Sequence, residues 1–148
     1  MNTPSNHSLA MRLLLLIALG VVTPASAASG LVIIAHPSNP ASSVSMADVM
    51  RLFTGKTKTF PDAGAAVPVG LKDGSPEKQT FDSRILNKTS NQVRAFWAQQ
   101  IFTGRGTPPK EFDSPAALKA HVASHPEAIG YLSLTDVDAS VKTLLTLP

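Results

Sequence analysis

Residues 67–76 have the sequence VPVGLKDGSP, which predicts a strand that turns directly into a helix. The apolar run at 67–71 contains β-branched residues and is typical of a buried strand. The Asp-Gly pair that follows favours a tight turn. Ser75 then takes the N-cap position, and Pro76 takes the first helical position, where the missing N–H of a proline costs nothing.

Three further apolar runs predict strands on either side of this unit. They lie at 31–35, 129–134 and 141–147, and each has the length of a strand rather than of a helix. The run at 31–35 is continuously apolar and ends at a His-Pro pair, so we expect it to form a central strand.

Helix signals separate the strands, and each begins with a serine N-cap. A capping box of Ser45 and Asp48 opens the first helix, and Ser75, Ser90 and Ser114 open the other three. We expect the third helix to pack most extensively, because it is rich in aromatic side chains. We expect Val93, Phe96, Trp97 and Ile101 to pack inward, and the aromatic residues of this helix are Phe96, Trp97 and Phe102. Alternating strands and helices favour an α/β fold, an open mixed sheet flanked by helices.

Two helix ends have nearly the same sequence. Residues 52–56 are LFTGK and residues 101–105 are IFTGR. Glycine commonly ends a helix, and a cation after it interacts favourably with the negative end of the helix dipole. Nothing else aligns at this offset, so we interpret the pair as a reused stop signal rather than as a duplication.

The first 27 residues have the order of segments that defines a secretory signal peptide. A positive charge at Arg12 precedes an apolar run of about ten residues, whereas a membrane-spanning helix needs roughly 20. The small residues Ala-Ser-Ala end at Ala27, and cleavage there leaves a single domain at 28–148. Met11 is an alternative start to Met1, because the polar residues before it lack the charge of a signal peptide.

The composition excludes several classes of protein. The chain is 43% hydrophobic and 16% charged, as expected of one globular domain. Its net charge of +3 comes from scattered residues, so we expect no nucleic-acid partner. Without cysteine there is no disulfide and no lipid-bearing cysteine, and we expect a soluble periplasmic protein without a membrane anchor.

Signatures of catalysis are missing from the sequence. There is no Gly-x-Ser-x-Gly elbow, no P-loop, no His-Glu-x-x-His motif and no cysteine nucleophile. His121 and His125 have the spacing of helical metal ligands, but no third ligand accompanies them. We therefore expect a protein that is not an enzyme and that holds no cofactor and no metal.

Three segments of the sequence resemble segments of phosphate-type periplasmic substrate-binding proteins. They are the helix with its Phe-x-Gly-Lys end at 44–60, the strand with its Asp-Gly-Ser loop at 67–75, and the Gly-Tyr strand at 128–131. They follow one another in the family's order. The resemblance implies a single lobe of a type 2 periplasmic-binding-protein-like fold. It also implies an exported protein that binds phosphate or a related small oxyanion for an ABC transporter or a sensor.

The Asp-Gly-Ser loop is the first candidate anion site. A glycine turn before a helix presents free N–H groups and the positive end of the helix dipole to an anion. Gly74 and Ser75 are the candidate donors, and Lys72 is the candidate cation. The alternative interpretation is that Ser75 only caps the helix.

Three residues of this loop depart from the family's pattern, in which an arginine and a Ser-Gly-Thr run complete the anion clamp. Leu71 stands where the arginine is expected, Pro76 removes an N–H donor, and Glu77 places a carboxylate where the threonine is expected. These departures argue against phosphate bound in the family's usual geometry.

A second candidate group follows the first predicted strand. Ser42 and Ser43 lie in a polar loop beyond its carboxyl end, where open α/β sheets bind ligands. The alternative is that they are ordinary loop residues. Two functions stay open at this point. One is a solute-binding lobe, for which a homodimer rebuilds a two-lobed cleft, and the other is a non-enzymatic secreted module that docks to another exported protein.

Overall fold

The computed structural model describes residues 30–148, so the predicted signal peptide at 1–27 and the choice of start lie outside the described residues. This part of the chain forms one sheet and four α-helices. In chain order the elements are β1 (Leu31–Ala35), α1 (Met46–Phe53), β2 (Val67–Leu71), α2 (Pro76–Arg84), α3 (Ser90–Phe102), β3 (Lys110–Phe112), α4 (Pro115–Ser124), β4 (Ala128–Ser133), a 3-10 turn (Leu134–Asp136) and β5 (Lys142–Leu147). Among the helices of this region, none has the length and apolar character needed to cross a bilayer.

The five strands form an open mixed sheet in the order β3-β2-β4-β1-β5. β2 runs parallel to β3 and β4, whereas β1 runs antiparallel to β4 and β5. The predicted α/β class is therefore confirmed. β1 is an interior strand as expected, although β4 occupies the middle of the sheet.

Because β1 runs antiparallel to β2, the loops of the domain lie at two opposite edges of the sheet. We call the edge where β2, β3 and β4 end the carboxyl edge of β2, and the opposite edge the amino edge of β2. Ala35 pairs with Ile129, which in turn pairs with Pro68, so β1 ends at the amino edge of β2. Leu31 pairs with Leu147, so β1 begins and β5 ends together at the carboxyl edge.

The core lies on the sheet's middle strands. Every residue of β1 is buried, in agreement with its unbroken apolar sequence. Tyr131 of β4 stacks on Phe81 of α2 at 4.2 Å between ring centroids, and Phe53 of α1 lies 4.6 Å from Phe81. The Tyr131 hydroxyl accepts a hydrogen bond from the Leu71 N–H at 3.0 Å, which gives this buried polar group a partner.

Side-chain caps begin all four α-helices. The predicted caps are confirmed at Ser45, Ser75 and Ser114, each of which accepts from the backbone N–H three residues on. The prediction for α3 was wrong by one residue, because Thr89 forms a reciprocal capping box with Gln92.

The structure differs from the sequence analysis at β3 and at the end of α3. β3 was not predicted, because it has only three residues and two of them are charged. The inward packing expected of Ile101 was wrong, because its side chain is 55% exposed, and the neighbouring Phe102 is 91% exposed. The buried residues of α3 are Val93 and Trp97, so α3 is not the most extensively packed helix, and its last turn projects into solvent.

We expect Gly130→Ala to destabilise the fold. A Cβ at Gly130 lies 2.9 Å from the Leu118 Cδ2 and 3.3 Å from the Val69 Cγ2, so the core must shift to accommodate it. Overpacking of this kind lowers the free energy of unfolding by about 1–3 kcal/mol, which urea denaturation measures. Gly106→Ala is the matched control, since its Cβ has an ordinary contact of 3.7 Å. Equal stability of the two variants contradicts the prediction.

Candidate functional site

Two helix N-termini meet at the carboxyl edge of β2. β2 and β3 end side by side, with Leu71 paired to Phe112, and each strand leads through a short turn into a helix. α2 begins with the Ser75 cap and α4 with the Ser114 cap, and both helices have a proline in the first turn. This edge thus collects the positive ends of two helix dipoles.

Lys72 joins the two turns. Its backbone N–H donates to the Phe112 carbonyl at 3.1 Å, and its ammonium forms an ion pair with the carboxylate of Asp113. Hydrogen bonding to this carboxylate, together with its charge, raises the pKa of Lys72. The candidate cation is therefore present at the edge but already has a counter-ion.

Asp73 forms ion pairs with the two other cations near the loop, Arg94 and Lys78. Its carboxylate accepts from the Arg94 Nη1 at 2.6 Å and lies 3.7 Å from the Lys78 Nζ. Arg94 comes from α3 and brings a guanidinium to the loop that Leu71 does not provide. Leu71 itself is 1% exposed and packs in the core, so its side chain contributes to stability and not to the loop.

Beneath the loop lies a buried ion pair between Lys78 and Asp82. Their side chains are 9% and 2% exposed, and the Lys78 Nζ donates to both Asp82 oxygens at 3.0 and 3.3 Å. Burial raises the pKa of Asp82, and the hydrogen bond from Lys78 opposes this shift. A cavity of about 40 Å³ adjoins the pair, with Tyr131 and Glu111 in its wall.

Backbone donors remain available at both helix N-termini. The N–H groups of Gly74, Glu77 and Ala116 contact no hydrogen-bond acceptor within the region 30–148. Gly74 has φ +97°, a conformation that favours glycine. The Ser75 Oγ accepts from the Lys78 N–H at 3.0 Å as a helix cap, and this bond leaves its own hydrogen free to donate.

The structure brings together Lys72, Gly74 and Ser75 and separates them from Ser42 and Ser43. The two serines are exposed in the loop after β1, and the next residue, Val44, donates to the Leu144 carbonyl of β5, the outer strand that is separated from β2 by β1 and β4. Ligands lie at the carboxyl ends of parallel strands, and β1 runs antiparallel to β2, so its carboxyl end lies at the opposite edge.

The sequence contained a signal for the part of the site that was missed. Asp113, Ser114 and Pro115 repeat the Asp, Ser and Pro of the α2 turn, and they place a second capped helix at the same edge. By contrast, the contact of Arg94 with Asp73 joins residues 21 positions apart and has no local pattern.

The two helical histidines do not gather a set of metal ligands. His121 and His125 stack with their rings 3.8 Å apart, and the His125 Nδ1 lies 2.8 Å from the His121 carbonyl oxygen. No cluster of three potential metal ligands occurs among residues 30–148.

Comparison with known proteins gives information about the fold of this chain. No protein-family model matches the chain. The chain is similar to an ABC-type phosphate transport receptor from Vibrio cholerae, with a TM-score of 0.63 and 18% identity over 78% of this chain and 45% of that chain. It is also similar to a structure from Clostridium perfringens assigned as a phosphate ABC transporter substrate-binding protein with bound phosphate. The TM-score is 0.61 and the identity 22%, over 78% of this chain and 44% of that chain.

PstS from Borrelia burgdorferi gives a similar result, with a TM-score of 0.59 and 12% identity over 78% of this chain and 46% of that chain. The chain spans less than half the length of these structures. Its fold is therefore that of a single lobe of phosphate-type substrate-binding proteins, and the predicted resemblance is confirmed at the level of the fold.

We expect Lys78→Met to lower stability strongly near pH 7, because it leaves the Asp82 carboxylate buried without a cation. Breaking a buried pair costs about 3–5 kcal/mol. Since burial raises the pKa of Asp82 above the ordinary 3.8, the folded state holds its proton more tightly than the unfolded chain. Stability contributed in this way is present in acid and is lost as the pH rises, so the effect of the substitution shrinks towards pH 4.

Urea denaturation at pH 4 and pH 7 measures this difference. The control is Arg51→Met, which breaks an exposed pair with Asp48 at 3.4 Å and changes stability by less than about 1 kcal/mol. The double variant Lys78→Met with Asp82→Leu recovers much of the loss. A loss that is the same at both pH values is inconsistent with a buried Asp82 charge.

Proposed function

We propose that this chain is an exported, non-enzymatic solute-binding lobe that takes a small oxyanion such as phosphate at the carboxyl edge of β2. The observation that carries the proposal is the meeting of two capped helix N-termini around Lys72. Free N–H groups, helix dipoles and an ammonium together form a donor set suited to an oxyanion. The fold shared with a phosphate transport receptor and with a phosphate-bound substrate-binding protein supports an oxyanion as the class of ligand.

The carboxylates at this edge determine how tightly the lobe binds. Asp113 holds the Lys72 ammonium and Asp73 holds the Arg94 guanidinium, so an oxyanion has to compete with both carboxylates. Glu77 adds a further negative charge in the first turn of α2. We therefore propose weak binding by the isolated lobe, with dissociation constants on the order of millimolar, about −4 kcal/mol.

A second lobe strengthens such a site by covering it. A second copy of the chain supplies one in the form of a homodimer, which buries the edge and excludes water. The complex then delivers its ligand to an ABC transporter or a sensor by diffusion and docking. The transport receptors of similar fold support this partner class.

Calorimetric titration with sodium phosphate at low ionic strength tests the proposal. We expect Asp113→Asn to bind phosphate several-fold more tightly than the wild type, because it releases Lys72. Lys72→Met reduces binding. The control is the double variant Ser42→Ala with Ser43→Ala, which changes two exposed residues at the amino edge of β2 and leaves binding unchanged.

Two outcomes refute oxyanion binding at the carboxyl edge of β2. Absence of heat from both the wild type and Asp113→Asn at ten times the expected millimolar concentration refutes oxyanion binding at this edge. Equal affinities of Asp113→Asn and Lys72→Met place the anion elsewhere. Sedimentation of the wild type with and without phosphate reports whether a homodimer forms on binding.

A protein-interaction module is the second candidate function. A specific observation favours it, namely the exposed end of α3 with Phe102, which contributes nothing to the core. The two functions use opposite edges of the sheet and are compatible with each other.

A further inference from the structure

The last turn of α3 exposes large apolar side chains. Phe102 is 91% exposed and Ile101 is 55% exposed. Single exposed apolar residues are common on protein surfaces, but two adjacent ones at the end of a helix form a small apolar patch, and such patches mark interaction sites.

The helix cap does not require Phe102 to be exposed. The two related helix ends have the same cap geometry: the Thr54 and Thr103 N–H groups each donate to the carbonyl four residues back at 3.0 Å, and a glycine with positive φ follows each. Yet Phe53, at the position equivalent to Phe102, is 3% exposed and lies in the aromatic core. An alanine at 102 is thus compatible with the same cap, which leaves the phenyl ring without a structural role in the described region.

An apolar groove of about 420 Å³ lies one helical turn before this exposed end. Trp97 faces it, and Ile101 follows Trp97 at i+4, on the same side of α3. Trp97 is 9% exposed and packs near two glycines, at which a Cβ would be 3.7 Å from the indole ring. The groove is further lined by Leu52, Ala66, Val67, Pro68, Pro108 and Pro109. We call the groove together with Ile101 and Phe102 the α3 surface.

The charge around the α3 surface has one sign. Lys58 and Lys110 line the groove, and no carboxylate does. Arg105 follows Phe102 by three residues. Within the described part of the chain none of these three cations forms an ion pair, whereas Lys72, Lys78 and Arg94 at the carboxyl edge all do. The α3 surface therefore offers apolar area flanked by uncompensated positive charge.

We propose that the α3 surface binds an extended segment of a partner protein that presents apolar side chains flanked by Asp or Glu. An apolar side chain fills the groove over Trp97, and the segment continues past Ile101 to Phe102 at the helix end. The carboxylates reach Lys58, Arg105 and Lys110, whose ammonium lies 5.2 Å from the centroid of the Phe112 ring. Aromatic anchors of this kind dominate binding energy at interfaces, and charge complementarity selects the partner. Two copies of this chain joined through the same surface place cations against cations, which disfavours self-association there.

The α3 surface is independent of the proposed oxyanion site. The groove is lined by the first residues of β2 and β3, so it opens at the amino edge of β2, across the sheet from Lys72. The inference therefore does not rest on oxyanion binding, and a partner can dock while the carboxyl edge stays open.

A phage-displayed library of random 12-residue peptides, selected on the purified domain, tests this proposal. We expect enriched peptides to combine aromatic or aliphatic residues with Asp and Glu. Trp97 is the only tryptophan of the chain, so the fluorescence of the domain reports occupancy of the groove by tryptophan-free synthetic peptides. Phe102→Ala and the double variant Lys58→Glu with Arg105→Glu each weaken binding by tenfold or more.

Matched controls distinguish binding at the α3 surface from nonspecific binding of peptides. Leu134→Ala removes another exposed apolar side chain, which is 39% exposed, and Lys88→Glu reverses a cation outside the groove. Both retain the wild-type affinity to within about twofold, as expected for surface positions outside the interface. Urea midpoints confirm that each variant is folded, and the phosphate titration of Phe102→Ala matches that of the wild type.

Three results overturn the proposal. One is the absence of enriched peptides, and another is enrichment of peptides that bind Phe102→Ala and Lys58→Glu/Arg105→Glu as well as the wild type. The third is a wild-type dimer in sedimentation that Phe102→Ala converts to a monomer, which assigns the α3 surface to self-association.

Discussion

The pairing of β1 between β4 and β5 is the constraint on which the rest of the structure depends. Its five buried residues join the two antiparallel neighbours and thereby unite the parallel β3-β2-β4 part of the sheet with β5. Because β1 runs against β2, the loops of the domain divide between two edges. The candidate oxyanion site and the α3 surface are separate because β2 and β3 end at one of these edges and begin at the other.

The cations at the two edges differ in whether they form ion pairs with carboxylates. At the carboxyl edge of β2, Lys72, Lys78 and Arg94 are held by carboxylates, one of which is buried. In the proposed function, an incoming anion has to compete with the carboxylates of Asp113 and Asp73 for these cations. At the amino edge Lys58, Lys110 and Arg105, the cations around the groove, form no ion pair in the described region.

Local sequence predicts the parts of the fold that have local causes. Apolar runs in the sequence predicted the strands β1, β2 and β4. Three helix caps were predicted from a serine that precedes apolar residues at helical spacing. β3 escaped prediction because a three-residue edge strand with two charged residues draws its stability from its neighbour β2 rather than from its own sequence. At the candidate site, the turn at Gly74 and the cap at Ser75 were predicted from local sequence, but the ion pairs were not, because partners such as Asp73 and Arg94 meet only through tertiary packing. Ser42 follows a strand that runs antiparallel to β2, and strand direction, which composition does not encode, separates it from the Lys72 turn.

The pairing of Leu31 with Leu147 has a consequence for how such a lobe is built into larger proteins. Adjacent strands lie about 4.8 Å apart, so the polypeptide enters and leaves the sheet at almost the same point. A unit with this geometry fits into a surface loop of another domain with little distortion of either, as domain insertion requires. The entry and exit points lie at the carboxyl edge of β2, the same edge of the sheet as the Lys72 turn.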